Sequence, residues 1–343
     1  MCVEQTIEID NFSNRDSMAF LATVGLLTLL YYLAYLIFPS ILDCDLLLAL
    51  KEIFGKPVVS LKGKVVWITG ASSGIGEQLA YVLAKTGCKL ILSARRIHDL
   101  EKVKRKCLEE NEYLSDNDVE VYPLDLLNFD LHEKAFQHVI EKFGKLDILV
   151  NNAGRSQRAQ WENIEMAVDK EMFELNVFSI ISLSRLAVKH FLQTGEGQIV
   201  INSSVAGFLP VARSGTYSGA KHALHGYFKS LLLDHHDKHI DVTIVCPGPV
   251  QTNFLAESFT EKSGEKYGIN TEVDKNKISA KRCATLMGVA IANKLDEVWI
   301  AKPNTLRLIY ILYCFPNFGK WLVKTLGTRY LMKLRDAKVS SKD

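Results

Sequence analysis

The feature that most constrains this chain is a glycine-rich turn at residues 69–76, with the sequence Thr-Gly-Ala-Ser-Ser-Gly-Ile-Gly. An apolar run typical of a short buried strand precedes it at residues 64–68, and apolar residues recur at helical spacing over residues 77–86. Glycines let a backbone approach a pyrophosphate, and a helix N-terminus presents free N–H groups and a positive dipole end. This order of elements predicts a phosphate-binding site. An ordinary turn is the alternative, because the spacing is Gly-x-x-x-Gly-x-Gly and not Gly-x-Gly-x-x-Gly.

The rest of the chain alternates between β-branched runs and helical patterns. Further strands are predicted at residues 89–93, 119–123, 146–150, 198–202, 241–246 and 297–301. Helices are predicted at residues 97–111, 131–143, 166–193 and 216–236. Strands separated by helices indicate an α/β fold, with a Rossmann-type, doubly wound, seven-stranded parallel sheet in a single catalytic domain over residues 63–303. In such a sheet the ligand binds at the carboxyl ends of the strands.

Before this domain, residues 18–38 form a stretch without a charged side chain, long enough to span the hydrocarbon core of a bilayer. A buried helix of a soluble domain would show a polar face, and this stretch has none. A cleaved signal peptide would begin with a basic region, whereas residues 1–17 are mainly acidic. We therefore predict an N-terminal tail over residues 1–17, an uncleaved transmembrane anchor over residues 18–38 and a linker with some helical character over residues 39–62.

The charges around the anchor indicate its orientation. Arg15 precedes it, whereas the basic residues that follow it closely are Lys51, Lys56, Lys62 and Lys64. The positive-inside rule then places the catalytic domain on the cytosolic side. Two glycosylation sequons agree, because Asn11 lies before the anchor while Asn202 falls in the expected active site, where a glycan would block ligands. Few charges support this orientation, so the opposite topology is still open.

The last segment, residues 304–343, has a different character. Residues 306–315 are strongly apolar but too few to span a bilayer. The residues after Pro316 mix aromatic and aliphatic side chains with lysines and arginines. Two alternatives are equally consistent with this amphipathic pattern: a lid packed on the domain, or a segment that lies on a membrane surface.

Composition excludes several classes of function. The net charge is +2, so we expect no nucleic-acid partner. The seven cysteines include no Cys-x-x-Cys pair, which argues against a zinc site and a disulfide framework. His235, His236 and His239 lie at an expected helix end among charged residues, so we expect no metal there. Packing roles are expected for three further residues: His222, His225 and Cys246.

Tyr217 and Lys221 lie four residues apart on a predicted helix and therefore share a face. A tyrosine with an unperturbed pKa of about 10 is a poor base at neutral pH. A neighbouring ammonium and an oxidised nicotinamide stabilise the phenolate and lower that pKa. Tyr217 can then exchange a proton with a carbinol or carbonyl oxygen while hydride moves to or from a cofactor. Alone this pair is a weak signal, since long helices contain it by chance.

The loops after three predicted strands strengthen this interpretation. Ser204 ends the fifth strand, where its hydroxyl can hold a substrate oxygen. Residues 151–154, Asn-Asn-Ala-Gly, follow the fourth strand and can line a cofactor floor. Residues 247–252 begin with Pro-Gly-Pro after the sixth strand, where a rigid turn can cap a nicotinamide amide. Because the carboxyl ends of parallel strands meet at one edge of a sheet, we expect these groups to line one cavity.

These motifs, in this order and spacing, resemble the short-chain dehydrogenase/reductase family over residues 63–301. The resemblance implies a catalytic tetrad of Asn176, Ser204, Tyr217 and Lys221, in which Asn176 kinks its helix and holds a water that links Lys221 to solvent. It also implies that Asp125 contacts the adenine. Besides Asp125, Tyr217 and Lys221, the expected cofactor contacts are Gly70, Ser72, Ser73, Gly74, Ile75, Gly76, Arg95, Arg96, Asn151, Asn152, Ala153, Gly154, Pro247, Gly248, Val250 and Thr252.

The residues after the second strand indicate which dinucleotide binds. A carboxylate at the end of this strand would bind the 2′-hydroxyl of NAD, but the position holds Ala94 and is followed by Arg95 and Arg96. Guanidinium groups suit a 2′-phosphate, so we expect NADP(H). The alternative is that the arginines only solvate the start of the next helix.

The anchor and residues 93–100 most resemble membrane-bound members of the family that act on steroids, retinoids and other lipophilic carbonyls. The expected activity is hydride transfer between NADP(H) and such a carbonyl or alcohol at the endoplasmic reticulum membrane, with membrane lipid as a partner; a homodimer is allowed.

A non-catalytic nucleotide-binding scaffold is the main alternative, but it would tolerate loss of Tyr217 or Lys221, and both are present. An epimerase or dehydratase of the longer family type fits less well, because the roughly forty residues after the last strand are too few for a substrate domain.

Overall fold

A seven-stranded parallel sheet forms the centre of the fold. The structure is a computed structural model that describes residues 14–209, 211–235, 237–269, 274 and 277–336. The strands are β1 (Val65–Thr69), β2 (Lys89–Ser93), β3 (Val119–Val121), β4 (Ile148–Asn151), β5 (Gly197–Asn202), β6 (Ile240–Pro247), β7 (Val250–Gln251), β8 (Ile278–Ser279) and β9 (Glu297–Ile300). The sheet order is β3-β2-β1-β4-β5-β6-β9 with every neighbouring pair parallel, and β7 pairs separately with β8. The predicted Rossmann-type α/β fold is confirmed.

Helices cover both faces of this sheet. They are α1 (Asn14–Ile37), α2 (Leu46–Phe54), α3 (Gly74–Lys85), α4 (Ile97–Glu110), α5 (His132–Phe143), α6 (Met166–Phe173), α7 (Ser179–Thr194), α8 (Gly215–Asp234), α9 (Ala280–Ala292), α10 (Pro303–Cys314) and α11 (Pro316–Asp336). One core layer contains α3, α4 and α9 with Val66 and Ile68 of β1, and the other contains α5, α7 and α8 with Val65 and Trp67. β1 is therefore buried at every position, as expected for a parallel sheet covered on both sides.

The strand order creates a crevice at one edge of the sheet. β1 pairs with β2 on one side and with β4 on the other. The connections after β1 and β4 therefore diverge and leave space at the carboxyl ends of these strands. The glycine-rich turn follows β1 and the Asn-Asn-Ala-Gly segment follows β4, so the topology brings both to this crevice.

Residues 39–62, predicted as a linker with some helical character, pack onto the catalytic domain. α2 lies in this segment and buries Leu48 in the layer that contains α9. Arg282 of α9 donates hydrogen bonds to the carboxylates of Asp43 and Glu52, on either side of the start of α2. The segment therefore ties the end of the N-terminal helix to the domain. The sequence indicated helical character in this segment but not the bounds of α2.

α1 has the length and apolar composition of a membrane-spanning segment. The stretch Ser17–Ser40 has a mean hydropathy of 2.0, and none of its most apolar window is buried. The stretch Met166–Thr194 also passes by length, with a mean hydropathy of 1.2, but 56% of its window is buried, as in a core helix. α1 is therefore a candidate anchor. The predicted tail up to residue 13, with the Asn11 sequon, lies outside the described residues.

α10 and α11 pack beside the carboxyl edge of the sheet. α10 buries Ile309 in a cluster with Phe208 and Trp299. α11 packs on α10 and exposes Phe318 and Trp321 to solvent. The segment therefore packs on the domain like a lid and also presents aromatic side chains to solvent. Both alternatives, the lid and the membrane-surface segment, are consistent with this arrangement. Residues 337–343 lie outside the described part of the chain.

Candidate active site

A cavity of about 990 Å³ runs along the carboxyl edge of the sheet. Its first end is lined by the glycine-rich turn and the loop after β2, and its middle by the loops after β4, β5 and β6. Its other end is walled by α10 and α11. Ligand pockets commonly measure roughly 300–1,000 Å³, so this cavity is large enough for a cofactor together with a substrate.

The glycines of the turn are required by backbone geometry and by close contacts. Gly70 and Gly74 have φ angles of 66° and 65°, in the left-handed region that favours glycine. A Cβ atom on Gly70 would lie 2.8 Å from the Ala153 Cα. A Cβ atom on Gly76 would overlap the Gly70 carbonyl oxygen and the Asn152 side chain. This side-chain-free cradle at the start of α3 fits the pyrophosphate of a dinucleotide.

Asn152 braces the glycine-rich turn against the neighbouring strand ends. Its Nδ2 donates to the carbonyl oxygens of Thr69 and Gly70, both at 3.1 Å. Its Oδ1 accepts a hydrogen bond from the Asn202 Nδ2 at 2.8 Å. The Asn152 side chain therefore fixes the ends of β1, β4 and β5 relative to one another.

The Tyr217 phenol lies in the cavity beside Ser204. Burial raises the pKa of this phenol to about 12, although the hydrogen bond with Ser204 and the charge of Arg158 favour the phenolate. Ser204 Oγ also accepts from the Ala206 N–H at 3.1 Å and donates to the Pro247 carbonyl oxygen at 3.3 Å. At neutral pH the phenol is therefore protonated and able to donate to an oxygen bound beside it.

Lys221 lies one helical turn after Tyr217, with its Nζ 5.7 Å from the centre of the Tyr217 ring. The Nζ donates to the Asn202 carbonyl oxygen at 2.8 Å. Burial lowers the pKa of the Lys221 ammonium to about 8, so the group is mostly charged at neutral pH. A Cβ atom on Gly154 would lie 3.9 Å from this Nζ, so the glycine leaves the space in front of the ammonium open.

Asn176 lies in a π-helical turn, Glu174–Phe178, that separates α6 from α7. The single helix predicted over residues 166–193 is therefore interrupted at the residue expected to kink it. The buried Asn176 side chain accepts from the Arg155 N–H at 3.0 Å and donates to the Arg155 carbonyl oxygen at 2.7 Å. Asn176 thus holds the loop after β4 from behind the cavity wall.

The loop after β2 carries the cations expected to select NADP(H). Arg95 and Arg96 both line the cavity. The Arg96 Nη2 lies 3.4 Å from the Ser72 Oγ and 3.5 Å from the Ser73 Oγ, beside the glycine-rich turn. Its Nε donates to Asp99 at 2.5 Å, which orients the guanidinium plane. Guanidinium groups and hydroxyls at one place form a donor set that fits a ribose phosphate.

Most of the predicted site residues share this cavity. Gly76, Asn151 and Asn176 lie behind its wall, and Asn151 is buried with its Nδ2 donating to the Ser184 Oγ of α7 at 3.1 Å. The predicted residues that line the cavity are Gly70, Ser72, Ser73, Gly74, Ile75, Arg95, Arg96, Asp125, Asn152, Ala153, Gly154, Ser204, Tyr217, Lys221, Pro247, Gly248, Val250 and Thr252. Asn151 is the last residue of β4, and side chains alternate between the two faces of a strand. Its side chain therefore points to the helix layer and not into the cavity.

Arg158 is a cavity residue that no sequence motif indicated. Its Nη1 donates to the Ser156 Oγ at 2.9 Å and to the Gln157 carbonyl oxygen at 2.6 Å. Its charge favours the phenolate of Tyr217, so it belongs to the electrostatic surroundings of the reacting group. A single arginine in a loop has no periodicity or fixed spacing that would mark it.

Within the described residues, no group of three or more side chains is arranged to hold a metal ion; His236 lies outside them.

Comparison with known proteins agrees with this geometry. The family model for short chain dehydrogenases matches residues 64–263. The chain belongs to the short-chain dehydrogenase/reductase family. This short-chain dehydrogenase/reductase is 40% identical over 289 residues to Dehydrogenase/reductase SDR family member 7 of Homo sapiens, covering 84% of this chain and 85% of the relative. It is 32% identical over 312 residues to 11-beta-hydroxysteroid dehydrogenase-like 2 of Arabidopsis thaliana, covering 90% and 93%. These relatives place the chain in an oxidoreductase family.

Solved structures share the fold of this short-chain dehydrogenase/reductase. An alcohol dehydrogenase from the archaeon Thermococcus sibiricus, complexed with 5-hydroxy-NADP, aligns with a TM-score of 0.61 and 24% identity over 70% of this chain and 97% of its own. A short-chain dehydrogenase/reductase from Burkholderia phymatum, in complex with NAD, aligns with a TM-score of 0.65 and 23% identity over 75% and 95%. Proteins with this fold therefore bind NAD as well as a derivative of NADP.

Proposed function

We propose that this protein transfers hydride between NADP(H) and a lipophilic carbonyl or alcohol, with Tyr217 as the proton donor and acceptor. The observation that supports this most directly is the juxtaposition of the Tyr217 phenol, the Ser204 hydroxyl and the Lys221 ammonium in the cavity that begins at the glycine-rich turn. A proton donor, an oxygen-orienting hydroxyl and a buried cation are the groups that carbonyl reduction requires from the protein.

Each of these side chains has a separate task in the proposed reaction. Ser204 Oγ orients the substrate oxygen, and the neutral Tyr217 phenol donates a proton to it during reduction. Lys221, mostly charged at neutral pH because its pKa is about 8, stabilises the phenolate that remains. The Asn202 carbonyl oxygen holds that ammonium in place. A bound nicotinamide supplies or accepts the hydride.

The far end of the cavity supports a lipophilic substrate. Its apolar lining residues are Phe208, Leu209, Val211, Phe254, Leu255, Leu308, Ile309, Leu312 and Val323. Burying a large apolar body here gains about 25 cal/mol per Å² of surface removed from water. The hydroxysteroid dehydrogenase name of the Arabidopsis relative agrees with a steroid-like substrate, and retinoids or xenobiotic ketones and aldehydes share the same chemistry.

Membrane attachment through α1 is part of the proposal, with the catalytic domain on the cytosolic side of the endoplasmic reticulum. The Asn202 Nδ2 is the atom to which a glycan would attach in the lumen, and it donates to the Asn152 Oδ1 at 2.8 Å inside the site. A glycan on Asn202 would break the bracing of three strand ends. A lumenal catalytic domain is therefore disfavoured.

The activity is tested by measuring NADPH consumption by the membrane-bound protein across ketosteroids, retinals, aromatic ketones and, for comparison, acetone. We expect at least one lipophilic carbonyl to be reduced with a kcat/KM more than about tenfold above that of acetone, because only the former fills the apolar end. NADPH binding without consumption of any carbonyl would favour the scaffold alternative instead.

Cofactor preference is tested with the double substitution Arg95→Gln and Arg96→Gln. Loss of charge-assisted hydrogen bonds of roughly 1.5–3 kcal/mol predicts that kcat/KM for NADPH falls about 10- to 100-fold, while that for NADH stays within about twofold. Arg105→Gln is the matched control, because Arg105 is exposed on α4 outside the cavity. Equal losses with both cofactors would show that the arginines only support the start of α4.

A further inference from the structure

A buried polar network lies directly behind Ser204, outside the expected tetrad. His225 of α8 is 7% exposed, and its Nε2 lies 3.1 Å from the Ser203 Oγ at the end of β5. Its Nδ1 lies 3.5 Å from the Glu297 Oε2 of β9. The sequence pattern predicted His225 as a packing residue, but polar contacts to two other elements indicate a different role.

The charge of Glu297 determines how this network is polarised. Burial raises the pKa of the Glu297 carboxyl, but hydrogen bonds from His225, Lys229 and Trp299 outweigh it and lower the pKa to about 2. Glu297 is therefore a carboxylate and can only accept hydrogen bonds. We assign the His225 proton to Nδ1, which faces this carboxylate, so that Nε2 accepts from the Ser203 hydroxyl.

The imidazole is confined on its remaining sides. The Cys246 Sγ lies 3.6 Å from the His225 Nε2, and the Phe208 ring stands nearly perpendicular to the imidazole at 6.0 Å between centres. A Cβ atom on Gly207 would lie 2.6 Å from the same Nε2 and 2.8 Å from the Ser203 Oγ. These contacts confine the His225 imidazole and keep it close to the Ser203 hydroxyl.

We propose that His225 is a positioning residue that sets the Ser204 hydroxyl relative to the Tyr217 phenol. Ser203 is bonded to Ser204 in the chain, and its N–H donates to the Val245 carbonyl oxygen at 2.8 Å. His225 lies on the helix that carries Tyr217, two turns further on, so its bond to Ser203 fixes the register between α8 and the end of β5. Errors of about 1 Å in such geometry can cost about 100-fold in rate.

A double-mutant cycle with His225→Leu and Ser203→Ala tests this assignment, which rests on the proposed function. Either substitution is expected to lower kcat for the best carbonyl at least about tenfold, with KM and the NADPH dissociation constant within about twofold. The double variant should lose no more than the stronger single variant, because both remove the same hydrogen bond. His225→Gln, which keeps a side-chain amide for Ser203, should recover kcat to within about threefold of wild type.

His222→Leu is the matched control for this cycle. His222 lies on the same helix but is exposed, and its Nδ1 bonds to the Ser218 carbonyl oxygen of its own helix at 2.8 Å. We expect its kcat to equal that of the wild type. Additive losses in the cycle, or a normal kcat in His225→Leu, would overturn the positioning role. A wild-type protein that binds NADPH but reduces no carbonyl would overturn the proposed function itself.

Discussion

Replacing Tyr217 by phenylalanine is expected to lower kcat for carbonyl reduction at least about 10³-fold, while NADPH binds with a dissociation constant within about twofold of wild type. The substitution removes the phenolic O–H that donates the proton and keeps the ring that packs beside Phe254. Turnover assays together with fluorescence titration of NADPH separate the two quantities.

Tyr227→Phe is the control for this experiment. Tyr227 lies on the same helix, is 49% exposed and does not line the cavity. Loss of its hydroxyl should leave kcat unchanged. Full activity in Tyr217→Phe would refute the assignment of the proton donor, and equal losses in both variants would show that the effect comes from the stability of α8 and not from chemistry.

Replacing Gly76 by alanine is expected to weaken NADPH binding at least about 100-fold, even though Gly76 lies behind the cavity wall. The added methyl group would overlap the Gly70 carbonyl oxygen and the Asn152 side chain, so the turn must move away from α3 or distort. Either change alters the cradle that the pyrophosphate would occupy. Overpacking of this kind also costs roughly 1–3 kcal/mol of stability. Calorimetric titration and thermal unfolding measure both effects.

Gly226→Ala provides the comparison for Gly76→Ala. Both glycines are helical, but a Cβ atom on Gly226 meets no atom within 4 Å. Alanine there should leave NADPH binding unchanged and stabilise the protein by roughly 0.5–1 kcal/mol, because glycine is a poor helix former. Unchanged NADPH affinity in Gly76→Ala would mean that the turn does not contact the cofactor closely.

Local pattern in the sequence was sufficient for the sheet and for the helices with one apolar face. It missed α9, because nine of its residues are buried and its polar residues, Lys281, Arg282 and Thr285, all lie in its first half. For α2 it indicated only some helical character, because nine residues contain too few turns to define the bounds of a helix. The helix predicted over residues 166–193 has nearly the observed outer bounds. The π-helical turn inside it was not visible in the pattern, because such a turn has no period of its own in the sequence.

The site also has features that the sequence predicts and features that only tertiary contacts determine. Motif spacing alone predicted that Tyr217, Lys221 and Ser204 line one cavity, and all three do. Asn152 braces the site through hydrogen bonds to Thr69 and Asn202, which lie 83 and 50 positions away in the chain. No local pattern in a single sequence predicts contacts over such distances. The polar surroundings of His225 have the same origin, since its partners Ser203 and Glu297 lie just after β5 and on β9. Residue types therefore predicted the chemistry, and tertiary contacts supplied the positioning.

The C-terminal helices contribute to only one end of the cavity. Every residue proposed to contact the dinucleotide lies at or before Thr252, whereas the α10–α11 wall comes from residues 303–336. During synthesis the nucleotide half is therefore translated first, and the compartment for the carbonyl closes only when the C-terminal helices dock. Changes confined to those two helices are therefore expected to alter the choice of carbonyl and to leave the dinucleotide contacts unchanged.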